Sequence, residues 1–149
     1  MRIFLDTNIY IIGQLLTLSP EEKLLEYLGF YSEDAQAKKA QVEVIISQEL
    51  ISQVLRVGKR LQSKDWASKL VDQIWCNLNC LFIPETSEMQ TEARQLLKTK
   101  LIPSEDIFIY LTAKYGKADY FVSGNRELIQ SIADFECYTV QDFLKKIKL

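Results

Sequence analysis

Acidic, amide and hydroxyl side chains recur in this sequence where a short apolar segment gives way to a helix-like pattern. They lie at Asp6-Thr7-Asn8, Ser47-Gln48-Glu49, Asp106 and Ser123-Gly124-Asn125. Oxygen atoms of these types are the ligands that Mg²⁺ prefers, and one or two bound ions could activate a water and neutralise charge on a phosphate. The 149-residue chain contains no histidine, which excludes catalysis by imidazole. The pattern therefore predicts carboxylate chemistry supported by a divalent metal.

Each of these positions also has a purely structural explanation. Asp6, Ser47 and Asn125 are favoured residues for capping the start of a helix. Glu49 and Asp106 would lie in first turns, where the helix dipole stabilises an acid by about 0.3–1 kcal/mol. Capping explains each residue taken alone. It needs only one small polar group per helix, whereas a metal site needs several oxygens that converge on one crevice, so the recurrence favours the metal hypothesis.

Short apolar segments alternate with longer amphipathic ones along the chain. The predicted strands cover residues 2–5, 42–46, 80–83, 120–122 and 136–138. The predicted helices cover residues 9–18, 19–30, 32–40, 48–61, 65–78, 86–100, 103–115, 125–132 and 140–147. This alternation predicts one α/β domain over residues 1–149, a three-layer α/β/α sandwich with a central parallel sheet of about five short strands. In such sheets ligands bind beyond the carboxyl ends of the strands.

Three stretches of the sequence resemble the PIN domain family, and together they span both ends of the chain. Residues 1–9, MRIFLDTNI, are similar to the family's opening, in which the first strand ends in a metal-binding aspartate. Residues 106–128, DIFIYLTAKYGKADYFVSGNREL, resemble the segment in which an aspartate opens an apolar helix that leads to a strand. Residues 138–144, YTVQDFL, resemble the last strand and closing helix. The resemblance implies a PIN-like fold.

The resemblance also implies a set of ligands for Mg²⁺ or Mn²⁺. Asp6 and Asp106 match the family's metal-binding aspartates, and Ser123 matches a small hydroxyl position. Asn125 stands where the family has a fourth acid. An amide can ligate through its carbonyl oxygen or orient a water, but it brings no charge, so weaker metal binding is expected.

The second acid of the site is open between two positions. The family's glutamate lies about six residues after a small residue that opens the helix, and counting from Ser47 leads to Gln53, another amide. Glu49 lies one turn earlier on the same helical face and is the only acid of that helix, so we assign the position to Glu49. Asp119 begins its strand, far from the crevice, and is left out. The predicted catalytic and metal-binding residues are therefore Asp6, Glu49, Asp106 and Asn125.

The activity implied by the resemblance is metal-dependent hydrolysis of RNA phosphodiester bonds by an endoribonuclease, with Ser123 or Thr7 steadying a water or a phosphate oxygen. Many members of the family are the toxin of a toxin–antitoxin pair, which implies an antitoxin partner and a homodimer. The alternative is a PIN-like module that binds RNA or protein without catalysis, and the amides at positions 53 and 125 favour it. A phosphatase of the haloacid dehalogenase type is disfavoured because Thr7-Asn8 breaks its Asp-x-Asp motif.

The composition does not predict nucleic-acid binding by bulk electrostatics, since the net charge is −2 and the pI is about 5.3. Each basic cluster is interpreted as a solvated face rather than a binding patch. These clusters are Lys38-Lys39, Arg56/Lys59/Arg60, Lys98/Lys100 and Lys145-Lys146 with Lys148. The odd count of three cysteines argues against a disulfide framework. No apolar run approaches the ~20 residues of a membrane span and no secretory signal is recognised, so a cytoplasmic protein with no membrane contact is expected.

Overall fold

The computed structural model describes residues 1–31 and 42–148, and in this part of the chain five short strands form one sheet. The strands are β1 (Arg2–Leu5), β2 (Glu43–Ile46), β3 (Cys80–Phe82), β4 (Tyr120–Val122) and β5 (Glu136–Tyr138). Their spatial order is β3-β2-β1-β4-β5, and every neighbouring pair is parallel. The predicted fold class and the five strands are thus confirmed. The predicted helix over 32–40 and the Lys38-Lys39 cluster lie outside the described residues.

Helices connect these strands. They are α1 (Thr7–Leu15), α2 (Pro20–Tyr27), α3 (Gln48–Leu61), α4 (Lys64–Asn77), α5 (Ser87–Thr99), α6 (Ile107–Tyr115), α7 (Arg126–Ser131) and α8 (Val140–Lys146), with a 3₁₀ turn at Ser104–Asp106 before α6. Helix α1 ends three residues earlier than predicted, and Leu18 has a left-handed backbone with φ of 66°. No described helix is long and apolar enough to cross a membrane.

The sheet is buried on both faces. Ile3, Phe4 and Leu5 are consecutive residues of β1, and all three are fully buried. Because successive side chains of a strand point to opposite faces, helices must cover both sides, as in an α/β/α sandwich. Phe4 stacks on Phe121 of the neighbouring strand with ring centroids 5.2 Å apart. These contacts anchor β1 and β4 side by side at the centre of the sheet.

The strand register aligns the carboxyl ends of β1 and β4. Leu5 pairs with Val122, and the Asp6 backbone N–H then donates to the Val122 carbonyl at 2.9 Å. Ser123 continues in the same way and donates its backbone N–H to Tyr138 at 3.0 Å. The residue that follows β1 and the residue that follows β4 therefore lie at one edge of the sheet.

Candidate active site

Asp6 and Ser123 meet at the carboxyl edge of the sheet. The Ser123 hydroxyl donates to Asp6 Oδ2 at 2.7 Å, and the Thr7 backbone N–H donates to Asp6 Oδ1 at 2.8 Å. Ser123 is fully buried, whereas Asp6 is half-buried. A carboxylate that accepts one bond on each oxygen is held in a fixed orientation, with its remaining lone pairs available for a ligand.

Asp106 lies on the other side of the turn that follows β4. The Asn125 side-chain Nδ2 is 3.5 Å from Asp106 Oδ2, a long hydrogen bond, while the Asn125 backbone N–H donates to the Ser123 hydroxyl at 3.0 Å. Ser123 and Asn125 thus connect Asp6 of the first strand end to Asp106 of the turn before α6. The structure brings together three of the four predicted site residues, and these three come from separate parts of the sequence.

Helix capping accounts for some of these residues but not for all. Ser47 accepts a bond from Leu50 N, and Asn125 Oδ1 accepts one from Leu128 N at 3.2 Å. Asp106 makes no side-chain capping bond. The carbonyl oxygen of Asn125 is therefore occupied by its own helix, and its amide nitrogen is the atom that faces Asp106. In this arrangement Asn125 orients the Asp106 carboxylate.

The two aspartates form an uncompensated acidic pair. The pKa of Asp106 is raised from 3.8 to about 6 by burial, and then by the negative charges of Asp6, Glu105 and Glu127. In the part of the chain that the structure describes, neither Asp6 nor Asp106 belongs to an ion pair. Two carboxylates that repel one another in a half-buried crevice favour a bound cation, which would relieve the repulsion.

Gln53 and Glu49 extend this network on α3. The Thr7 hydroxyl donates to Gln53 Oε1 at 2.7 Å, and Gln53 Nε2 donates to Glu49 Oε1 at 3.1 Å. Gln53 therefore contacts the residue next to Asp6, and Glu49 lies one hydrogen bond further away. Glu49 and Gln53, the two alternatives for the second acid, are in direct contact with each other.

A cavity of about 290 Å³ adjoins the network on the Glu49 side. Its lining consists of Ser47, Gln48, Glu49, Ile83, Glu85, Met89, Phe108 and Thr112. Phe108 follows Asp106 by two residues, so the cavity lies beside α6. Neither Phe108 nor Glu85 is among the site residues predicted from the sequence. Glu85 does follow the predicted third strand, which is the signal that could have identified it, whereas Phe108 carries no signal beyond its apolar helix.

The donor set fits Mg²⁺ or Mn²⁺ in its chemistry. Among residues 1–31 and 42–148, no three His, Cys, Asp or Glu side chains lie close enough to hold a metal ion together. Asp6 and Asp106 themselves would thus supply two carboxylate ligands. Neutral oxygens and water would fill the remaining positions around the ion. Mg²⁺ usually keeps several waters and is bound through one or two carboxylates, so an acidic pair of this kind suits it better than a closed protein cage would.

Asp119 lies at the opposite edge of the sheet, where the sequence analysis expected it. Its Oδ2 accepts a bond from the Arg2 backbone N–H at 2.7 Å, and its own N–H donates to the Arg2 carbonyl. Asp119 thus joins the start of β4 to the start of β1. Its role in the described structure is to align two strands at their amino ends.

Comparison with solved structures identifies the fold. The chain is similar to VapBC2 from Rickettsia felis bound to a promoter DNA fragment, with a TM-score of 0.67, 17% identity, and coverage of 93% of this chain and 98% of that chain. VapBC-1 from nontypeable Haemophilus influenzae matches with a TM-score of 0.61 and 16% identity over 95% of this chain and 99% of that one. VapC20 from Mycobacterium tuberculosis, described as a sarcin–ricin loop cleaving toxin, matches with a TM-score of 0.57 and 11% identity over 80% and 86%.

Sequence comparison adds nothing to this result, since no family model matches the chain and no curated relative does. At identities of 11–17% the structural matches establish the fold alone. The match with VapBC2 covers 93% of this chain and 98% of that chain, so it extends over nearly the whole fold. The resemblance noted in the sequence is thereby confirmed: the chain has the fold of a VapC-like PIN domain.

Proposed function

We propose that this protein is an endoribonuclease that hydrolyses RNA phosphodiester bonds with the help of Mg²⁺ or Mn²⁺. The observation that carries the proposal is the uncompensated pair of Asp6 and Asp106 at the carboxyl edge of a PIN-type sheet. A sarcin–ricin loop cleaving toxin has the same fold, which supports RNA as the substrate class.

Asp6 and Asp106 would hold the metal in this proposal. A divalent ion bound there lowers the pKa of a water and neutralises charge on the scissile phosphate. Ser123 keeps the Asp6 carboxylate in one orientation through its 2.7 Å bond, and Asn125 holds the Asp106 carboxylate. The Thr7 hydroxyl donates to Gln53, and the Thr7 backbone N–H donates to Asp6. In this proposal Ser123 and Thr7 therefore hold the Asp6 carboxylate in place.

Asn125 and the pair of Glu49 and Gln53 complete the proposed site. Glu49 remains our assignment for the second acid, and Gln53 links it to Thr7. Gln53 and Asn125 are amides, so the proposed metal site carries less negative charge than a site with four acids would. We expect an enzyme that needs a high concentration of Mg²⁺ or works better with Mn²⁺.

The test is cleavage of a labelled single-stranded RNA with and without added Mn²⁺. Asp6→Asn and Asp106→Asn should each lower the rate by about a hundredfold or more, the usual scale for removing a group that stabilises charge in the transition state. Asp119→Asn removes the same charge at the far edge of the sheet and should cleave like wild type. Activity that survives both crevice substitutions would refute the proposal.

Three further substitutions test the roles of Glu49, Gln53 and Asn125. Two of them compare Glu49 with Gln53, and the third adds a carboxylate at position 125. Glu49→Gln should reduce Mn²⁺-dependent cleavage if the glutamate serves as the second acid, and Gln53→Ala should reduce it if the amide matters instead. Asn125→Asp restores a carboxylate beside Asp106 and should lower the Mn²⁺ concentration needed for half-maximal cleavage.

We further propose an antitoxin as the protein partner and a homodimer as the assembly. Solved relatives of this fold include VapBC and FitAB complexes, which supports a partner encoded as the second member of such a pair. Size-exclusion chromatography with light scattering distinguishes monomer from dimer. Co-purification with the product of a neighbouring small gene, with loss of cleavage on mixing, tests the antitoxin.

A second candidate is a non-catalytic RNA-binding or protein-interaction module, which the amides Gln53 and Asn125 favour. The two candidates differ in their response to Mn²⁺. A metal-dependent enzyme should gain thermal stability on Mn²⁺ addition through ligand linkage, and Asp6→Asn should remove this gain. A module without a metal site should show no such difference between wild type and variant.

A further inference from the structure

A basic groove runs between α3 and α4, outside the acidic crevice. Its volume is about 470 Å³, and its lining consists of Ser52, Leu55, Arg56, Lys59, Lys64, Ala67 and Ser68. The cations come from both helices, Arg56 and Lys59 from α3 and Lys64 from the first turn of α4. Among the residues that the structure describes, no acid belongs to the lining. On a chain whose net charge is −2, this is a local concentration of positive charge.

Within the described residues, none of the three cations of the groove belongs to an ion pair. The ion pairs found among residues 1–31 and 42–148 are Arg2–Glu43, Lys114–Glu92 and Lys146–Glu136. None of them involves Arg56, Lys59 or Lys64. By contrast, Lys146 of another basic cluster pairs with Glu136 and lies over the Tyr120 ring. The groove is thus a site where an external anion would meet uncompensated charge.

The groove begins one helical turn away from Gln53, which lies at the side of the candidate active site. Gln53, which is bonded to Thr7, is followed three residues later on α3 by Arg56, and residues three apart on a helix are neighbours on its surface. At 1.5 Å per residue, Arg56 lies about 4.5 Å and Lys59 about 9 Å further along the helix axis than Gln53. Arg56 is therefore the cation nearest to the acidic crevice, and Lys59 lies further along and around the helix, on the side that faces Lys64.

We propose that this groove binds the sugar–phosphate backbone of single-stranded RNA and guides the strand into the crevice at Asp6 and Asp106. This inference rests on the proposed function for its substrate class. A positively charged groove that follows the backbone is how proteins bind single strands without reading their sequence. Cations repeated at about one-turn intervals match a polymer with regularly repeated charge. An acidic peptide is the other polyanion of this kind, but the position of Arg56 one helical turn from Gln53, beside the crevice, favours the polymer whose phosphates would be cleaved there.

The floor of the groove, meaning its uncharged lining, consists of Ser52, Leu55, Ala67 and Ser68. Leu55 is 36% exposed, so its apolar surface is open to the ribose face of a strand. Ser52 accepts a bond from Gln48 Nε2 at 3.2 Å, which leaves its hydroxyl proton available to a phosphate. The floor gives no base-specific contact, so we expect affinity with little dependence on sequence.

The direct test is fluorescence anisotropy with a fluorescein-labelled single-stranded RNA of mixed sequence and the full chain in EDTA, where no cleavage occurs. The groove variant combines Arg56→Gln, Lys59→Gln and Lys64→Gln. Its matched control combines Lys23→Gln, Lys98→Gln and Lys100→Gln, which remove the same charge from exposed positions elsewhere. Circular dichroism melts establish that both variants are folded.

The groove variant should bind RNA at least about tenfold more weakly than wild type, and its slope of log K against log salt should fall by about 2, because each lost phosphate contact on a single strand removes about 0.7. The control should stay within about twofold of wild type. Equal losses in both variants, or no loss in the groove variant, would overturn the proposal. So would tighter binding of poly-glutamate than of RNA at equal charge, which would assign the groove to an acidic protein.

Cleavage kinetics with Mn²⁺ separate this proposal from the nuclease itself. If both hold, the groove variant raises KM and leaves kcat close to wild type, since the groove does not touch the acids. If wild type binds RNA through the groove but never cleaves it, the proposed activity fails and the groove stands. If wild type cleaves RNA and the groove variant has unchanged KM and affinity, the groove fails and the activity stands.

Discussion

Asp106→Asn offers a test of the acidic crevice that needs neither RNA nor metal. The folded chain raises the pKa of Asp106 from 3.8 to about 6, a difference of about two units, and each unit corresponds to about 1.4 kcal/mol. Solvent screening reduces the free energy that corresponds to this pKa difference, because Asp106 is only half-buried. We expect the neutral asparagine, which keeps an oxygen for the Asn125 amide, to stabilise the fold by about 1–2 kcal/mol at pH 7.5.

The pH dependence of this gain fixes its cause. Because the pKa of Asp106 is higher in the folded chain than in the unfolded chain, folding favours its neutral form. The stability that the carboxyl contributes is therefore fully present below about pH 3.8, falls as the pH rises through about 6, and then stays constant. The difference between Asp106→Asn and wild type should accordingly be largest above pH 6 and disappear near pH 4.

The assay is thermal unfolding in EDTA between pH 4 and pH 8. For a chain of 149 residues, 1–2 kcal/mol corresponds to a rise in Tm of about 3–6 °C. Asp119→Asn serves as the control, since it removes one charge where Asp119 holds the Arg2 backbone, and it should not raise Tm. A gain that is equal at pH 4 and pH 8, or no gain at all, would refute the inference that Asp106 is electrostatically strained.

Three further substitutions, with Gly124→Ala as a control, test packing and hydrogen bonding by urea unfolding. Gly58→Ala should lower the free energy of unfolding by about 1–3 kcal/mol, because the new methyl would lie 2.8 Å from a side chain of the facing helix α4. The control Gly124→Ala adds a methyl with nothing within 4 Å, so it should change the free energy of unfolding little. Tyr10→Phe should be neutral or stabilise by about 1 kcal/mol, since the buried Tyr10 hydroxyl has no partner among the described residues; a loss would show that it has one. Ser123→Ala should cost about 1–3 kcal/mol because it strands Asp6 without its 2.7 Å donor, and a neutral result would contradict the orienting role of Ser123.

The strands were predictable because they are short and mostly apolar, and the three central strands, β2, β1 and β4, are buried along most of their length. The sequence pattern located β1, β4 and β5 to the residue, and β2 and β3 to within one residue. Their carboxyl ends follow from the parallel arrangement, so the neighbourhood of Asp6 and Ser123 could be inferred before the structure was known. The end of α1 was placed too late, since apolar residues continue through Leu18 beyond the point where the backbone turns.

Features that depend on contacts between distant helices could not be predicted. Glu49 and Gln53 share one face of α3, so periodicity cannot decide between them, and only the position of Thr7 shows which is nearer to Asp6. Arg56 and Lys59 resemble an ordinary solvated face in the sequence. Lys64 joins them only because α4 packs back against α3, and nothing in the local pattern specifies that neighbour.

The hydrogen bond between Gln53 and Glu49 has a consequence for how such a site could change in evolution. Gln53 donates to the Glu49 carboxylate through its amide nitrogen, and a glutamate at position 53 has no proton to donate, so Gln53→Glu alone would set two like charges against each other. Glu49→Gln alone would leave the helix without an acid. Exchanging both residues keeps the composition, the charge and the hydrogen bond while moving the carboxylate one turn closer to Thr7. We therefore expect the two positions to be coupled, so that the double exchange should change stability by less than the sum of the two single substitutions.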